Sequence, residues 1–517
     1  MLSLVEKTSD RKVVILSIII CVLVVLFHIW KYRYFLHNDT WITLRYVINF
    51  VELGDLSWNP GERVEGYTEP LHLLLLSILV FFGFAPIFAA QGLNLFCAIA
   101  LSAAVFIGAR KISESKTPGP IEAIALIGVV TAPPTIVWIF GGLGALLAAS
   151  LSAWAIVQLM PAFVNTDKRL NLIRLSFNSG VLFALAYLAR PDAVVMLAAS
   201  CISVFLFAQA PLRQRIMAAS ILGIVPSIMI VAHVCWRYFY YGEIAPNTYY
   251  AKVGIDGAVR LFEVPTYLLN SFMLSLMPVS LGILGSLIWA YLGKYNRSVT
   301  FLLLCIVFHT IYVIWSGGDH MPAARVLLPL LAPGCLLLAY TVKFTPPKQR
   351  ATVLVMSLVP MMLSVLTSQR LFEDGASWVG SIVGTYINEA WPDDALVASN
   401  SAGALVFLAR EKTFIDMLGL NDRTIGKREG IELLAPKQHT PGHSKGDGAY
   451  VLSKKPDYII VGRAQGMRSD EAWFLSGYEM NRMPEFHKCY EVQEVEIDLE
   501  RLSEPLEFVY YERICEK

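Results

Sequence analysis

A chain of 517 residues that is 56% hydrophobic and 16% charged, with a mean hydropathy of +0.55, is excluded from the ordinary soluble class, whose domains average about 25% charged residues. The net charge of +1 hides a division. Residues 1–370 carry 26 Lys and Arg against 16 Asp and Glu, and residues 371–517 carry 16 against 25. The hydrophilic third is therefore acidic and repels phosphate, which disfavours nucleic acid as a partner. Its apolar runs at 395–398 and 458–461 also exclude a solvating disordered tail.

In chain order, Val13 to Trp30 is an unbroken apolar stretch behind Lys7, Arg11 and Lys12, close to the roughly 20 residues that cross a bilayer core. The basic flank sets the N-terminus in the cytoplasm. Lys31, Tyr32, Arg33 and Tyr34 follow and offer no small-residue cleavage site, so an uncleaved anchor is expected. Ten more spans are predicted near 89–109, 119–138, 141–164, 175–189, 193–210, 216–238, 268–292, 298–316, 326–342 and 351–369, about 11 in all. The run Leu71 to Phe84 is uncharged but short, and Gly83 and Pro86 lie behind it. Loop charge decides its role. If it stays on the outer face as an interfacial helix, Arg110, Lys111, Lys116, Arg213, Arg215, Lys343, Lys348 and their neighbours all lie inside with the N-terminus. Making it a span reverses that bias. The expected layout is thus a polytopic α-helical membrane domain over 1–370, its first outer loop at 31–88, and an extracytoplasmic domain over 371–517.

The first outer loop, Lys31 to Glu69, holds six of the sixteen acids of the membrane part: Asp39, Glu52, Asp55, Glu62, Glu65 and Glu69. Asn38 and Asp39 precede a helical pattern running to Leu53. Two readings of Asp39 stand side by side: a helix cap, for which Asp and Asn are favoured, or a carboxylate aimed into a cavity. Other charges lie at predicted span ends: Arg190 with Asp192, Arg237, Glu243, Lys252, and Asp319 and His320 with Arg325. Ionisable groups this close to a bilayer are functional candidates, and arginines suit a lipid-linked phosphate. The plainer reading of Arg190 and Asp192 is a local ion pair.

In the C-terminal part, Ala395 to Ser399, Thr413 to Ile415, Tyr458 to Val461 and Glu491 to Asp498 read as strands between helical stretches, giving a small α/β domain. Cys21, Cys97, Cys201, Cys235, Cys305 and Cys335 fall in predicted spans. Only Cys489 and Cys515 remain, both in the outer domain, where a disulfide is chemically permitted; spacing does not show that they meet. His439 and His443 flank Pro441 and Gly442, which break any helix that would align two histidines, so a loop rather than a metal site is expected there.

Several blocks then carry a resemblance. Asn38-Asp39-Thr-Trp-Ile-Thr-Leu-Arg45-Tyr46 and Trp58-Asn-Pro-Gly-Glu62-Arg-Val-Glu65-Gly-Tyr67-Thr68 resemble the first outer loop of GT-C membrane glycosyltransferases. They look most like the group of the mycobacterial terminal β-(1→2) arabinofuranosyltransferase and the pilin arabinosyltransferases. Arg190-Pro-Asp192, Tyr241 to Lys252, Gly317 to Arg325, Asp416 to Asp422, Gly442 to Lys445 and Lys455 to Tyr458 agree in order. Relatives usually carry two acids where Asn38-Asp39 stands, and often a Glu where this chain has Gly144.

The resemblance implies transfer of a sugar, arabinofuranose by this likeness, from a polyprenyl-phosphate donor to a cell-envelope glycan or glycoprotein at the outer face of the cytoplasmic membrane. Asp39 matches the family's catalytic acid. Arg190, Lys252 and Arg325 are the implied donor-phosphate ligands. Asn38, Arg45, Glu65, Tyr67, Asp192, Asn247, Asp319, His320, His443 and Lys445 are the implied substrate-binding set, with Asp416 and Asp422 near the acceptor. Equally, Asp422 and Lys445 serve only to stabilise loops. No tightly bound cofactor is expected, and a metal is left open. Two other classes compete. A transporter of lipid-linked precursors needs ionisable groups near the bilayer midplane in broken, repeated helices, and a lipid-binding scaffold needs outer cations but no particular carboxylate.

Overall fold

In a computed structural model, the structure describes residues 2–164, 171–252, 257–294, 296–367, 374–431, 435–436, 442–498 and 504–516. Among them, seven helices are long and apolar enough to cross a membrane, or nine if each of two bent pairs is one span. Two shorter apolar segments, Ile18–Tyr32 and Ala193–Phe207, lie on the remaining predicted spans. Helices therefore occupy all eleven stretches, and the chain is a polytopic α-helical membrane protein carrying a C-terminal sheet. The Pro70–Phe81 helix has 12 residues, about 18 Å at 1.5 Å per residue, short of the roughly 30 Å core.

The chain divides into two compact units. One comprises Met1–Phe35, Ala90–His233 and Arg260–Phe372; the other comprises Leu36–Ala89, Val234–Val259 and Glu373–Lys517. The second thus gathers the first loop, a middle segment and the C-terminal residues, a grouping that chain order does not announce.

The first unit is built around Leu331–Phe344, all of whose residues from Leu331 to Val342 are buried. It packs against Met277–Tyr291 through small residues: a Cβ on Gly282 would strike the backbone at Gly334, and one on Gly334 would strike Val279. Close backbone approach of this kind is how helices associate where no hydrophobic effect drives them. Three predicted spans are less regular than expected. The 119–138 stretch bends by 47° between Pro120–Thr131 and Pro133–Gly141, because Pro133 removes a backbone donor. The 268–292 stretch turns by 94° between Glu263–Ser275 and Met277–Tyr291, through a π-helical turn at Ser271–Ser275. The 326–342 stretch begins in a 3₁₀ segment, Pro322–Leu330, with Ala323 and Ala324 at φ 54° and 51°, and becomes α-helical only from Leu331.

In the second unit, β1 (Leu396–Ser399), β2 (Thr413–Asp416), β3 (Tyr458–Ile460), β4 (Tyr490–Ile497) and β5 (Leu506–Arg513) form one sheet in the order β2-β1-β3-β5-β4. β1 runs parallel to β2 and β3, and β5 is antiparallel to β3 and β4. Four of these strands coincide with the predicted ones; β5 was not foreseen. Its run Phe508 to Tyr511 is buried, so the alternation that marks a half-exposed strand is absent. Cys489 and Cys515 form a disulfide, closing the entry of β4 onto the exit of β5.

Candidate functional site

The second unit holds the predicted catalytic acid. The helix Asn38–Leu53 begins with His37 as its N-cap, and the His37 Nδ1 accepts the backbone N–H of Asp39 at 3.1 Å. The expectation that Asp39 itself caps the helix is therefore corrected: a ring nitrogen fills that position. Asp39 lies in the first turn, its Oδ1 3.9 Å from His37 Nδ1 and its side chain 36% exposed, where the positive end of the helix dipole favours a carboxylate.

The segment is held from outside. Asp374 Oδ2 accepts the Asn38 N–H at 3.0 Å and lies 3.7 Å from His37 Nε2, while its Oδ1 caps Gly375–Ala390 through Ala376 N and Ser377 N. The Asn38 side-chain oxygen accepts from Ala404 N at 3.1 Å. Neither His37 nor Asp374 was singled out from sequence. A His just ahead of a helical pattern was the available signal, but the 336-residue separation of Asp374 from Asn38 hides the second contact.

Other expected substrate residues of this unit fill its interior. Arg45 is 2% exposed; its guanidinium donates to the Trp58 and Val406 carbonyls at 2.6 Å each, and to Asn59 Oδ1 and the Lys412 carbonyl. Asn247 Nδ2 donates to the carbonyls of Gly419 and Asp422 at 2.7 and 2.9 Å. Both tie distant chain segments together. Glu65 is paired with Arg237, whose Nη2 lies 3.1 Å from Oε1; burial raises the Glu65 carboxyl above its usual range, and the Arg237 hydrogen bonds and charge pull it only part of the way back. The Tyr67 hydroxyl meets that of Tyr241 at 3.0 Å.

Lys252 is exposed and lies near Gly442. The His443 ring stacks on Phe474 at 5.4 Å, and Lys445 Nζ donates to the Arg428 carbonyl at 2.6 Å. Asp422 caps Arg423–Gly426 through Ile425 N, the loop-stabilising role. Asp416 accepts from Asn421 N, Asn421 Nδ2 and Leu418 N, yet burial pushes its carboxyl up to about 6. His439 and Pro441 lie outside the described residues.

The first unit holds a separate cluster of charge. Arg190 grips Asp192 with two hydrogen bonds, Nε to Oδ1 at 3.0 Å and Nη2 to Oδ2 at 3.1 Å, which is the local ion pair. Arg325 Nε reaches Asp319 Oδ2 at 3.1 Å, and its guanidinium lies 5.6 Å from the Trp138 ring centroid. His320 Nδ1 lies 4.0 Å from Asp319 Oδ1. Burial works to raise both carboxyls, but Arg190 beside Asp192 and Arg325 beside Asp319 hold each below the usual range. The buried His309, also not singled out from sequence, bonds the Val326 carbonyl through Nε2 at 2.7 Å. Among the described residues, no group of three or more His, Cys, Asp and Glu is placed to hold a metal.

Comparisons with known proteins give the fold a name. Residues 372–504 match a family model described as a domain of unknown function, DUF8728. No curated protein matches the chain by sequence. Among solved structures, it is similar to ArnT from Cupriavidus metallidurans, at a TM-score of 0.55 and 10% identity over 77% of this chain and 84% of that one. It is also similar to the oligosaccharyltransferase of Archaeoglobus fulgidus, at 0.53 and 13% over 76% of this chain and 62% of that one. The arabinofuranosyltransferase AftD from Mycobacteria aligns at 0.48 and 12% over 96% of this chain and 41% of that one. The chain thus spans less than two thirds of these last two. It has the GT-C fold.

Proposed function

We propose that this protein is a membrane glycosyltransferase that moves a sugar, arabinofuranose in our reading, from a polyprenyl-phosphate donor to a hydroxyl of an envelope glycan or glycoprotein. The observation that carries the proposal is the placement of Asp39 on a GT-C fold: it lies in the first turn of Asn38–Leu53, at the positive end of the helix dipole, with its side chain 36% exposed. ArnT, which shares the fold, has also been solved bound to undecaprenyl phosphate, which supports a lipid-phosphate donor.

In this reading the acceptor oxygen bonds the anomeric carbon as the bond from that carbon to the phosphate oxygen breaks; the charge of Asp39 favours the oxocarbenium character that develops, and its carboxylate then holds the proton of the acceptor hydroxyl. The departing phosphate keeps the bonding electron pair. Arg325 is the favoured phosphate ligand, because Asp319 engages only its Nε. Arg190 is already gripped by Asp192 on two nitrogens and contributes mainly charge; Lys252 is the third candidate. The same reading sets the reaction on the outer face of the cytoplasmic membrane, with the N-terminus inside.

The test is a transfer assay of the purified full chain with a panel of polyprenyl-phosphate sugars, followed by linkage analysis of the product. Asp39→Asn should abolish transfer while insertion and unfolding temperature persist. Transfer unchanged by Asp39→Asn rejects Asp39 as the base, and no transfer from any donor rejects the enzyme.

A further inference from the structure

Within the second unit, the helices Asn38–Leu53 and Gly375–Ala390 begin at one carboxylate. Asp374 is the N-cap of the second helix, and its Oδ1 accepts from Ala376 N at 2.9 Å and Ser377 N at 3.3 Å. Its Oδ2 accepts the Asn38 N–H at 3.0 Å, across 336 positions. A cap needs a single side-chain oxygen, so the second oxygen of Asp374 does something that Gly375–Ala390 does not require. It meets one of the N–H groups that the opening turn of Asn38–Leu53 cannot bond within itself, and a carboxylate makes that bond stronger than a neutral oxygen would.

The same turn is gripped twice more. Asn38 Oδ1 accepts from Ala404 N at 3.1 Å, and a Cβ on Gly403 would strike Asn38, so the chain at 403–404 lies closely against this residue. Trp41 Nε1 donates to Ser377 Oγ at 2.7 Å, and its ring centroid lies 5.0 Å from that of Phe407. Asp39 stands in sequence between these two anchors. Its own side chain is 36% exposed, so burial alone does not fix its direction, and the set of the turn's backbone bears directly on where the carboxylate points.

We propose that Asp374 is a positioning residue for the Asp39 carboxylate, acting through the Asn38 amide: Oδ1 holds one helix while Oδ2 sets the opening turn of the other. The role of Asp39 rests on the glycosyltransferase reading; the link from Asp374 to Asn38 does not. Misplacing a reacting group by about 1 Å costs roughly 10²-fold in rate, so loss of the link should appear in turnover and not in donor affinity.

The experiment compares the full chain in nanodiscs with two variants that keep the cap of Gly375–Ala390 and break the link. Asp374→Ser offers one oxygen, and Ser is a favoured N-cap; Asp374→Asn keeps one oxygen and turns an NH2 donor towards the Asn38 N–H. Both should lower kcat by about 10²-fold and unfold at the parent's temperature. Both should leave the donor KM within about twofold, the pattern of an interaction realised in the transition state. In an Asp39→Asn background Asp374→Ser should cost nothing further, because residues that act as a unit are not additive. Amide exchange in residues 38–41 should quicken by about tenfold, the scale of a lost hydrogen bond to a charged group, while 378–390 keeps its protection. Unchanged kcat in both variants overturns the proposal. So does an equal further loss in the Asp39→Asn background, or a drop in unfolding temperature that accompanies the drop in kcat in both variants. If the parent transfers no sugar, the glycosyltransferase reading falls and exchange alone decides the link: quickened exchange at 38–41 sustains it, and unchanged exchange overturns it.

Discussion

His37 Nδ1 accepts the backbone N–H of Asp39 at 3.1 Å, and the Asp39 carboxylate stands 3.9 Å from that same nitrogen. One ring therefore both caps the helix and stands beside the acid.

Asp39→Asn is expected to reduce transfer by roughly 10²- to 10⁴-fold, the usual contribution of a positioned general base. Stability should change little, because the side chain is more than a third exposed and its backbone N–H, not its carboxylate, makes the cap. Initial rates with saturating donor, read beside thermal unfolding, distinguish this from a folding defect.

His37→Ala removes the cap acceptor and should cost about 1 kcal/mol of stability, in the range found for lost N-caps. His37→Asn restores a side-chain acceptor and should recover most of it. If the ring serves Asp39 beyond capping, His37→Asn will regain the unfolding temperature but not the transfer rate, so the two readouts part.

Asp416 gives a pH dependence of defined sign. Burial raises its folded pKa to about 6, above the ordinary aspartate value of 3.8, so the folded state binds more protons than the unfolded one between those values. Stability is therefore greatest at the acid end and falls as pH rises from about 4 to about 6, by roughly 2–3 kcal/mol at 1.36 kcal/mol per pKa unit. Asp416→Asn should lower stability overall, through loss of one acceptor oxygen, and flatten its slope in that window. A pH series of chemical denaturation, parent against variant, reads the difference.

The Cys489–Cys515 bond closes a sequence separation of 26 residues. Reduction is expected to cost about 2–4 kcal/mol, the usual scale for a cross-link of this kind, localised to β4 and β5. Hydrogen exchange with and without reductant should show protection lost first in those strands, and unchanged protection there would count against a stabilising bond.

The eleven apolar stretches and four of the five strands were legible because each is a local pattern: a run long enough for a bilayer, or a short alternating or apolar segment between turn residues. The bends were only half legible. Pro133 and Pro278 each stand at the start of the second helix of a bent pair, but neither residue tells a 47° bend from a 94° turn. β5 escaped because burial of Phe508, Val509, Tyr510 and Tyr511 erased its periodicity. At the candidate site, Asp39 stood out by its place before a helix and by resemblance, and Arg190 with Asp192 by adjacency. The contact of Asn38 with Asp374 and the bonds of Arg45 to the Val406 and Lys412 carbonyls could not be read, since they join residues more than 330 positions apart.

Composition and periodicity by themselves thus determined a polytopic helical chain with an acidic sheet-bearing end, because bilayer thickness and strand pleating impose their repeat on neighbouring residues. Tertiary structure alone decided which polar groups are occupied in the fold: His37 on the Asp39 amide, Asp319 on Arg325, and carbonyls around Arg45. Hydrogen bonds and desolvation depend on distances through space, and a linear order of residues does not contain them.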